Sequence, residues 1–461
     1  MDLATALPED FTVGVGTSAW QVEGASATRG RTIWDDFADR PGAIADGSTA
    51  DPACDHVARI AQDVDLLAWL GVDAYRFSIA WARVQPGGRG PMSPEGVDHY
   101  DRLCDLLLER GITPLVTLYH WDLPSELQAR RGWLDPATAE LFGQYADAMA
   151  TRLGDRVGSW ATLNEPWCSA FLGYAAGVHA PGLRDPAAAL EVAYRLLVAH
   201  SRAVMGLRAG GAQQVGIVLN LMPTFPDDPF RGDPDLARAA QHIDALQVHL
   251  WLDALAGRGI GEEVTTRTSA FTDWSFVDAA ELGAVSVPID WVGVNYYTVQ
   301  RLVPDDKAVS RAVAQDASAH PGCPPVRFAP REPLTSMGWE INPDGLGTTL
   351  RKTAEALPGV PLWVGENGMA WPDVVVAGVC DDQARIDYLD RHLAEVVAAR
   401  ADGIDVRGYL AWSLFDNIEW AEGWRQRFGL VHVDPATQVR TPKSSAHWLR
   451  DLQGRRRGIS G

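Results

Sequence analysis

"WATLNEPW", residues 160–167, opens as a buried strand and ends abruptly. Trp160-Ala161-Thr162-Leu163 is apolar and β-prone, whereas Asn164-Glu165 is polar and Pro166 carries no backbone donor to continue a ladder. Taken alone, a polar pair at a strand end is a cap where the strand meets solvent. The form recurs along the chain, however, and the recurrence decides the fold. Comparable runs are "FTVGVGTSAW" (11–20), "DAYRFSIAW" (73–81), "TPLVTLYHW" (113–121), "VGIVLN" (215–220), "IDWVGVNYY" (289–297), "PLWVGENG" (361–368) and "VRGYLAWSLFD" (406–416).

Helical periodicity fills the gaps between these runs. In "HVARIAQDVDLLAWLG" (56–71), Val57, Ile60, Val64, Leu67 and Leu70 share a face, and Gly71 stands where a helix stops. "VDHYDRLCDLLLERG" (97–111), "AELFGQYADAMATRLG" (139–154), residues 190–208 and "QARIDYLDRHLAEVVAARADG" (383–403) read the same way. Strands apolar on both faces and alternating with helices imply a parallel sheet covered by helices. An open doubly wound sheet competes with closure, and eight repeats favour an α/β fold closed as a (β/α)8 TIM barrel. No composition shift or Ser/Gly-rich linker divides the chain, so residues 1–461 are expected to form one domain with a short flexible tail from about 452. The aperiodic stretch 301–333 reads as a long surface loop.

A formal net charge of −20 argues against nucleic acid as a partner. The basic cluster Arg455-Arg456-Arg457 reads as a frayed, solvated end. Five scattered cysteines without CxxC spacing argue against a disulfide framework or a zinc cluster. No secretory signal pattern and no membrane-length apolar run is visible, so a cytoplasmic protein without a membrane partner is expected.

In a (β/α)8 barrel, functional residues sit at the C-terminal strand ends. Those ends here carry Trp20-Gln21-Val22-Glu23, Arg76 to Trp81, His120-Trp121-Asp122, Asn164-Glu165, Asn220, Asn295-Tyr296-Tyr297, Glu366-Asn367 and Trp412. Together they would ring one mouth. Two carboxylates, Glu165 and Glu366, stand among amides, indoles, a histidine and an arginine. Indole faces cover the C–H face of a pyranose, amides bind its hydroxyls, and paired carboxylates suit glycosidic bond cleavage. The set holds no metal pattern and no cofactor loop. "GVGTSA" (14–19) fits a dinucleotide fingerprint but runs into Trp20-Gln21 without helical periodicity, and close backbone packing explains its glycines better. His56, His242, His249 and His392 lie on helical segments without metal spacing and read as ordinary surface or core residues.

"GTSAWQVEGA", "YRFSIAW", "YHWDLP", "TLNEP", "VNYYT", "VGENG" and "AWSLFDNIEWAEGWRQRFGL" together resemble glycoside hydrolase family 1, the β-glucosidase family, over about residues 11–449. The resemblance implies a retaining β-glycosidase acting on a small β-glycoside or cello-oligosaccharide without a cofactor. It implies that Glu165 is the acid/base and Glu366 the nucleophile, with carboxyl groups about 5–5.5 Å apart. Gln21, His120, Trp121, Asn164 and Glu419 correspond to sugar-hydroxyl ligands, with Trp420 beside them and Trp412 as the stacking indole. Arg76 and Tyr297 correspond to groups contacting the nucleophile, and Asn295 to one near both carboxylates. Trp339 corresponds to the aglycone platform, and Phe428 of the last motif to a further substrate-binding residue; Trp167, Cys168 and Leu172 are expected to shape the aglycone side. The family's usual Thr before the nucleophile is Gly365 here, a change expected to matter little. Glu165 in place of Gln separates the chain from myrosinase-like members, and Glu419-Trp420 from those acting on 6-phosphosugars. β-Galactosidase or β-fucosidase leaning and transglycosylation stay open. A non-enzymatic sugar-binding role would need one carboxylate missing.

Overall fold

Strand β1 (Thr12–Gly16) pairs in parallel with both β2 (Ala74–Ser78) and β8 (Val406–Trp412), which closes the sheet. The ring is completed by β3 (Thr113–Tyr119), β4 (Ser159–Asn164), β5 (Val215–Asn220), β6 (Trp291–Asn295) and β7 (Leu362–Asn367). Going round, the order is β1-β8-β7-β6-β5-β4-β3-β2, a closed eight-stranded parallel barrel. The molecule is described by a computed structural model covering residues 2–305 and 317–458.

The glycines of β1 permit this closure. A Cβ on Gly14 would stand 2.4 Å from the Ala74 carbonyl oxygen of β2, so the backbones approach more closely than a side chain allows. The fingerprint-like glycines therefore serve packing, as expected. One detail differs: the chain after β1 makes a helical turn, Ala19–Val22, so Trp20 and Gln21 sit beyond the strand and not on its end.

The outer helices start where local chemistry tells them to. α1 (His56–Leu70) ends at Gly71, whose φ of +71° is the left-handed stop read from sequence. α2 (Pro94–Leu108), α3 (Pro136–Leu153), α4 (Pro186–Ala209), α5 (Pro234–Asp244) and α6 (Pro343–Ala356) each begin with proline behind a capping Ser, Asp or Asn. Each cap side chain accepts an otherwise orphaned backbone N–H, and proline has none to orphan. α7 (Gln383–Ala401) and α8 (Ser444–Arg456) complete the ring.

Two expectations need correction. The stretch 301–333 is not simply loop: Gln300–Pro304 lies between Thr224–Pro226 and Val326–Phe328 in a small three-stranded sheet. Residues 306–316 of that stretch lie outside the described residues. Nor does a flexible tail begin at 452, because α8 runs to Arg456. Arg456 donates to the Pro8 carbonyl at 2.9 Å and pairs with Asp73 at 3.2 Å, and Arg457 reaches Asp73 at 2.6 Å. Asp73 also accepts the Val13 N–H at 2.8 Å, so the basic cluster closes the barrel floor where β1 begins.

All five cysteines are free. Among the described residues no helix is long and apolar enough to cross a membrane. His56 bonds Asp63, and His242 and His392 bond backbone carbonyls, as ordinary core histidines do.

Beside the last two strands, a wholly buried ionic cluster ties α7 to the start of α8. Arg385 bonds Asp373 and Asp382, and Lys443 bonds Asp373 and Asp416. Removing one charge strands its partners in low dielectric. Lys443→Met should destabilise the fold by about 3–5 kcal/mol, read from urea denaturation. An unchanged midpoint would show that the aspartates do not depend on it.

Candidate active site

Arg76 projects from β2 into the barrel and organises the C-terminal mouth. Its Nη1 donates to Glu366 Oε1 at 2.7 Å, its Nη2 to Asn164 Oδ1 at 2.8 Å, and its Nε to Thr117 at 2.9 Å. One planar cation thus pins β7, β4 and β3. Its fork geometry and permanent charge suit the task, which lysine could not perform.

Glu366 lies on β7, in register beside Asn295 of β6. Its second oxygen, Oε2, accepts the Tyr297 hydroxyl at 2.6 Å. Glu165 comes from β4, but not as a strand residue. The strand ends at Asn164, and Glu165 has φ of +46°, in the left-handed region. The two neighbours diverge because the backbone turns there, not because of strand alternation. Such a conformation costs roughly 1–3 kcal/mol in a non-glycine residue and persists only where the surroundings enforce it. The Glu165 N–H donates to the Val218 carbonyl at 2.9 Å, and Pro166 leads into helical backbone.

Asn295 Nδ2 donates to Glu165 Oε1 at 2.7 Å and to Asn164 Oδ1 at 3.1 Å. Asn164 in turn donates to His120 Nε2 at 2.9 Å. Glu366, Arg76, Asn164, Asn295, Glu165 and His120 therefore form one continuous network. Gly365 keeps it in register: a Cβ there would stand 2.8 Å from Asn295 Oδ1 and 2.9 Å from Val218 Cγ1. The packing around this position is built for glycine, so the departure from the family's Thr is not neutral here.

Most of the residues read from sequence line one pocket: His120, Trp121, Asn164, Glu165, Tyr297, Trp339, Glu366, Trp412, Glu419, Trp420 and Phe428. Trp167, Cys168 and Leu172 also line it. Arg76, Asn295 and Gln21 stand behind this lining. Gln21 is wholly buried and donates to the Ile418 carbonyl at 2.9 Å. The indoles form a wall in which Trp121 and Trp420 lie 4.4 Å apart between centroids and Trp412 faces His120 at 5.7 Å. Tyr297, Trp339 and Phe428 pack against one another, with centroids 5.6, 6.0 and 6.1 Å apart, and Trp412 belongs to the same cluster. Trp121 and Trp420 share the left-handed backbone of Glu165, with φ of +75° and +49°. His179, Met222, Thr298, Met337 and Glu422 also line the pocket and were not singled out from sequence. They lie on connecting segments with no periodicity to mark them.

The electrostatics separate the two carboxyls. Burial raises both. Arg76 and Tyr297 oppose that at Glu366, so it ionises first. Glu165 has only neutral donors of its own, and burial with the nearby Glu366 charge pushes it up to about 7. Burial, then Glu366 and Glu165, push Glu419 up to about 8. Burial and Arg76 hold His120 well below the usual histidine range, so its ring is neutral.

The family model described as glycosyl hydrolase family 1 matches residues 3–457. The chain belongs to this family. It is 42% identical to the bifunctional β-D-glucosidase/β-D-fucosidase of Bifidobacterium breve, over 96% of this chain and 97% of that one. The psychrophilic β-glucosidase of Micrococcus antarcticus superposes with a TM-score of 0.93 at 42% identity, over 98% of each chain. The Thermotoga maritima β-glucosidase in complex with deoxynojirimycin superposes at 0.88 with 38% identity, over 98% of this chain and 99% of that one.

In this family 1 chain, Arg76→Met should leave Glu366 buried without its cation. The Glu366 carboxyl should then titrate at higher pH, moving the acid limb of the activity profile upward and lowering kcat/KM by about 100-fold or more. An unmoved acid limb in the folded variant would show that Arg76 does not set that ionisation.

Proposed function

We propose that this glycosyl hydrolase is a retaining β-glucosidase in which Glu366 is the nucleophile and Glu165 the acid/base. One observation carries the reading. Two buried carboxyls share a pocket, and one holds a guanidinium and a phenol while the other holds only neutral donors. Glu366 Oε forms a bond to the anomeric carbon as the glycosidic C–O bond breaks, and Glu165 transfers its proton to the departing oxygen. Water then loses a proton to the ionised Glu165 and attacks the anomeric carbon, releasing Glu366 and a β-configured sugar. The charge of Glu366 is consumed in the intermediate, which removes a cause of the raised Glu165 pKa just when a base is needed.

The sugar ligands follow from protonation. His120 Nε2 accepts from Asn164, so Nδ1, which has no protein partner among the described residues, carries the hydrogen and donates to a hydroxyl. The push described above favours the protonated form of Glu419, and among the described residues its Oε2 also lacks a protein partner. Trp412 offers the stacking face, Gln21 supports the Glu419 side, Trp121 and Trp420 bound the ring, and Trp339 with Phe428 carries the leaving group. The Bifidobacterium breve relative's dual name supports β-fucosidase activity beside β-glucosidase activity. Trp339 in the pocket lining supports a cello-oligosaccharide leaving group, and five free thiols favour a reducing, cytoplasmic setting. Acceptor sugars can replace water in the second step.

Glu366→Gly should abolish hydrolysis of an aryl β-glucoside in a variant that still folds; retained turnover would remove Glu366 from the mechanism. The first-formed sugar should be the β-anomer by NMR, and an α-anomer would exclude a double displacement. With the wild type, kcat/KM should fall as pH rises through about 7, because Glu165 must enter the first step protonated.

A further inference from the structure

Cys168 stands three residues beyond Glu165, where the π-helical segment Cys168–Ala176 begins. Its N–H donates to the Glu165 carbonyl at 2.9 Å, which fixes the two residues relative to each other. Its thiol donates to Glu165 Oε2 at 3.2 Å. Asn220, the last residue of β5, aims its Nδ2 at the sulfur from 3.5 Å. Both oxygens of Glu165 are therefore met by neutral donors of unequal kind. Oε1 faces the Asn295 Nδ2, which can only donate, so the carboxylic proton belongs on Oε2. Oε2 faces a thiol, a weak donor that can rotate its hydrogen away and accept weakly through sulfur.

We propose that Cys168 is a positioning residue for proton transfer: its S–H holds Oε2 of Glu165 when the carboxylate is ionised and gives way when that oxygen carries the proton. This rests on Glu165 being the acid/base. A stronger donor at this place would favour the ionised form and impede the first step. An apolar residue would leave the base without a holder in the second. The thiol adds no charge, since burial, reinforced by Glu165, pushes its own pKa well above the ordinary value. The charged and titratable groups facing Glu165 from the other elements are Arg76, Glu366, Tyr297 and Glu419. All of them stay in place when only Cys168 is changed.

The test compares Cys168→Ser and Cys168→Ala with wild type on an alkyl β-glucoside, whose leaving group needs a proton, and on 2,4-dinitrophenyl β-glucoside, whose leaving group does not. Cys168→Ser should move the alkaline limb of kcat/KM to lower pH. It should reduce kcat/KM for the alkyl glucoside by about tenfold while leaving the dinitrophenyl value within about twofold. Cys168→Ala should move the limb to higher pH and lower kcat on the dinitrophenyl substrate, where breakdown of the intermediate needs the base. The serine variant is nearly isosteric, so it reports even if the alanine variant folds poorly. Limbs and substrate ratios unchanged in a folded serine variant would overturn the proposal. Glu165→Gln separates this failure from a deeper one. If that variant collapses the alkyl-to-dinitrophenyl ratio while Cys168→Ser does not alter it, only the role of Cys168 falls. If Glu165→Gln leaves the ratio intact, the acid/base assignment falls with it.

Discussion

The buried guanidinium of Arg76 is the constraint on which the site depends. A permanent cation in the barrel interior needs anionic and polar partners, and it finds them on three other strands, through Thr117, Asn164 and Glu366. Meeting that need fixes Glu366 as the carboxyl that ionises first. It also commits Asn164, whose oxygen is shared between Arg76 and Asn295. Asn295 in turn reaches Glu165. The pocket's acid/base asymmetry is thus a consequence of where one cation was placed.

Around this rigid centre, strained backbone aims three of the pocket's side chains. Trp121, Glu165 and Trp420 all adopt left-handed backbone just past or above strand ends. None of them is glycine, so the surroundings must over-determine them. Trp121 shows how: its Nε1 donates to the Asn164 carbonyl at 3.0 Å, tying one strained residue to the strand that carries another. The barrel supplies stiffness through its closed ladder, and the loops supply direction.

The pocket also concentrates carboxyls that a solvent-exposed surface would leave ionised. Glu165, Glu366 and Glu419 lie in one desolvated space with a single nearby cation. Each negative charge there raises the cost of the next, which pushes Glu165 and Glu419 toward their protonated forms. On the proposed reading, acid, nucleophile and hydroxyl ligand are the same chemical group in three environments.

By itself the sequence determined the barrel, because eight apolar runs alternating with helical periodicity leave few other ways to bury both sheet faces. It also determined which residues ring the mouth, since polar side chains at the ends of such runs stand out. The tertiary structure alone decided how those residues are aimed and charged. No local pattern marks the left-handed turn at Glu165, the helical turn that carries Trp20 and Gln21, or the contact between Cys168 and a carboxylate. The strand at 300–304 was hidden because its partner at 224–226 is remote in sequence, and 326–328 joins the sheet only through 302–304. The basic end at 455–457 read as solvated because Asp73, which receives it, lies almost four hundred residues earlier. Proton affinities belong to the same class: they are set by burial and by neighbours that only folding brings together.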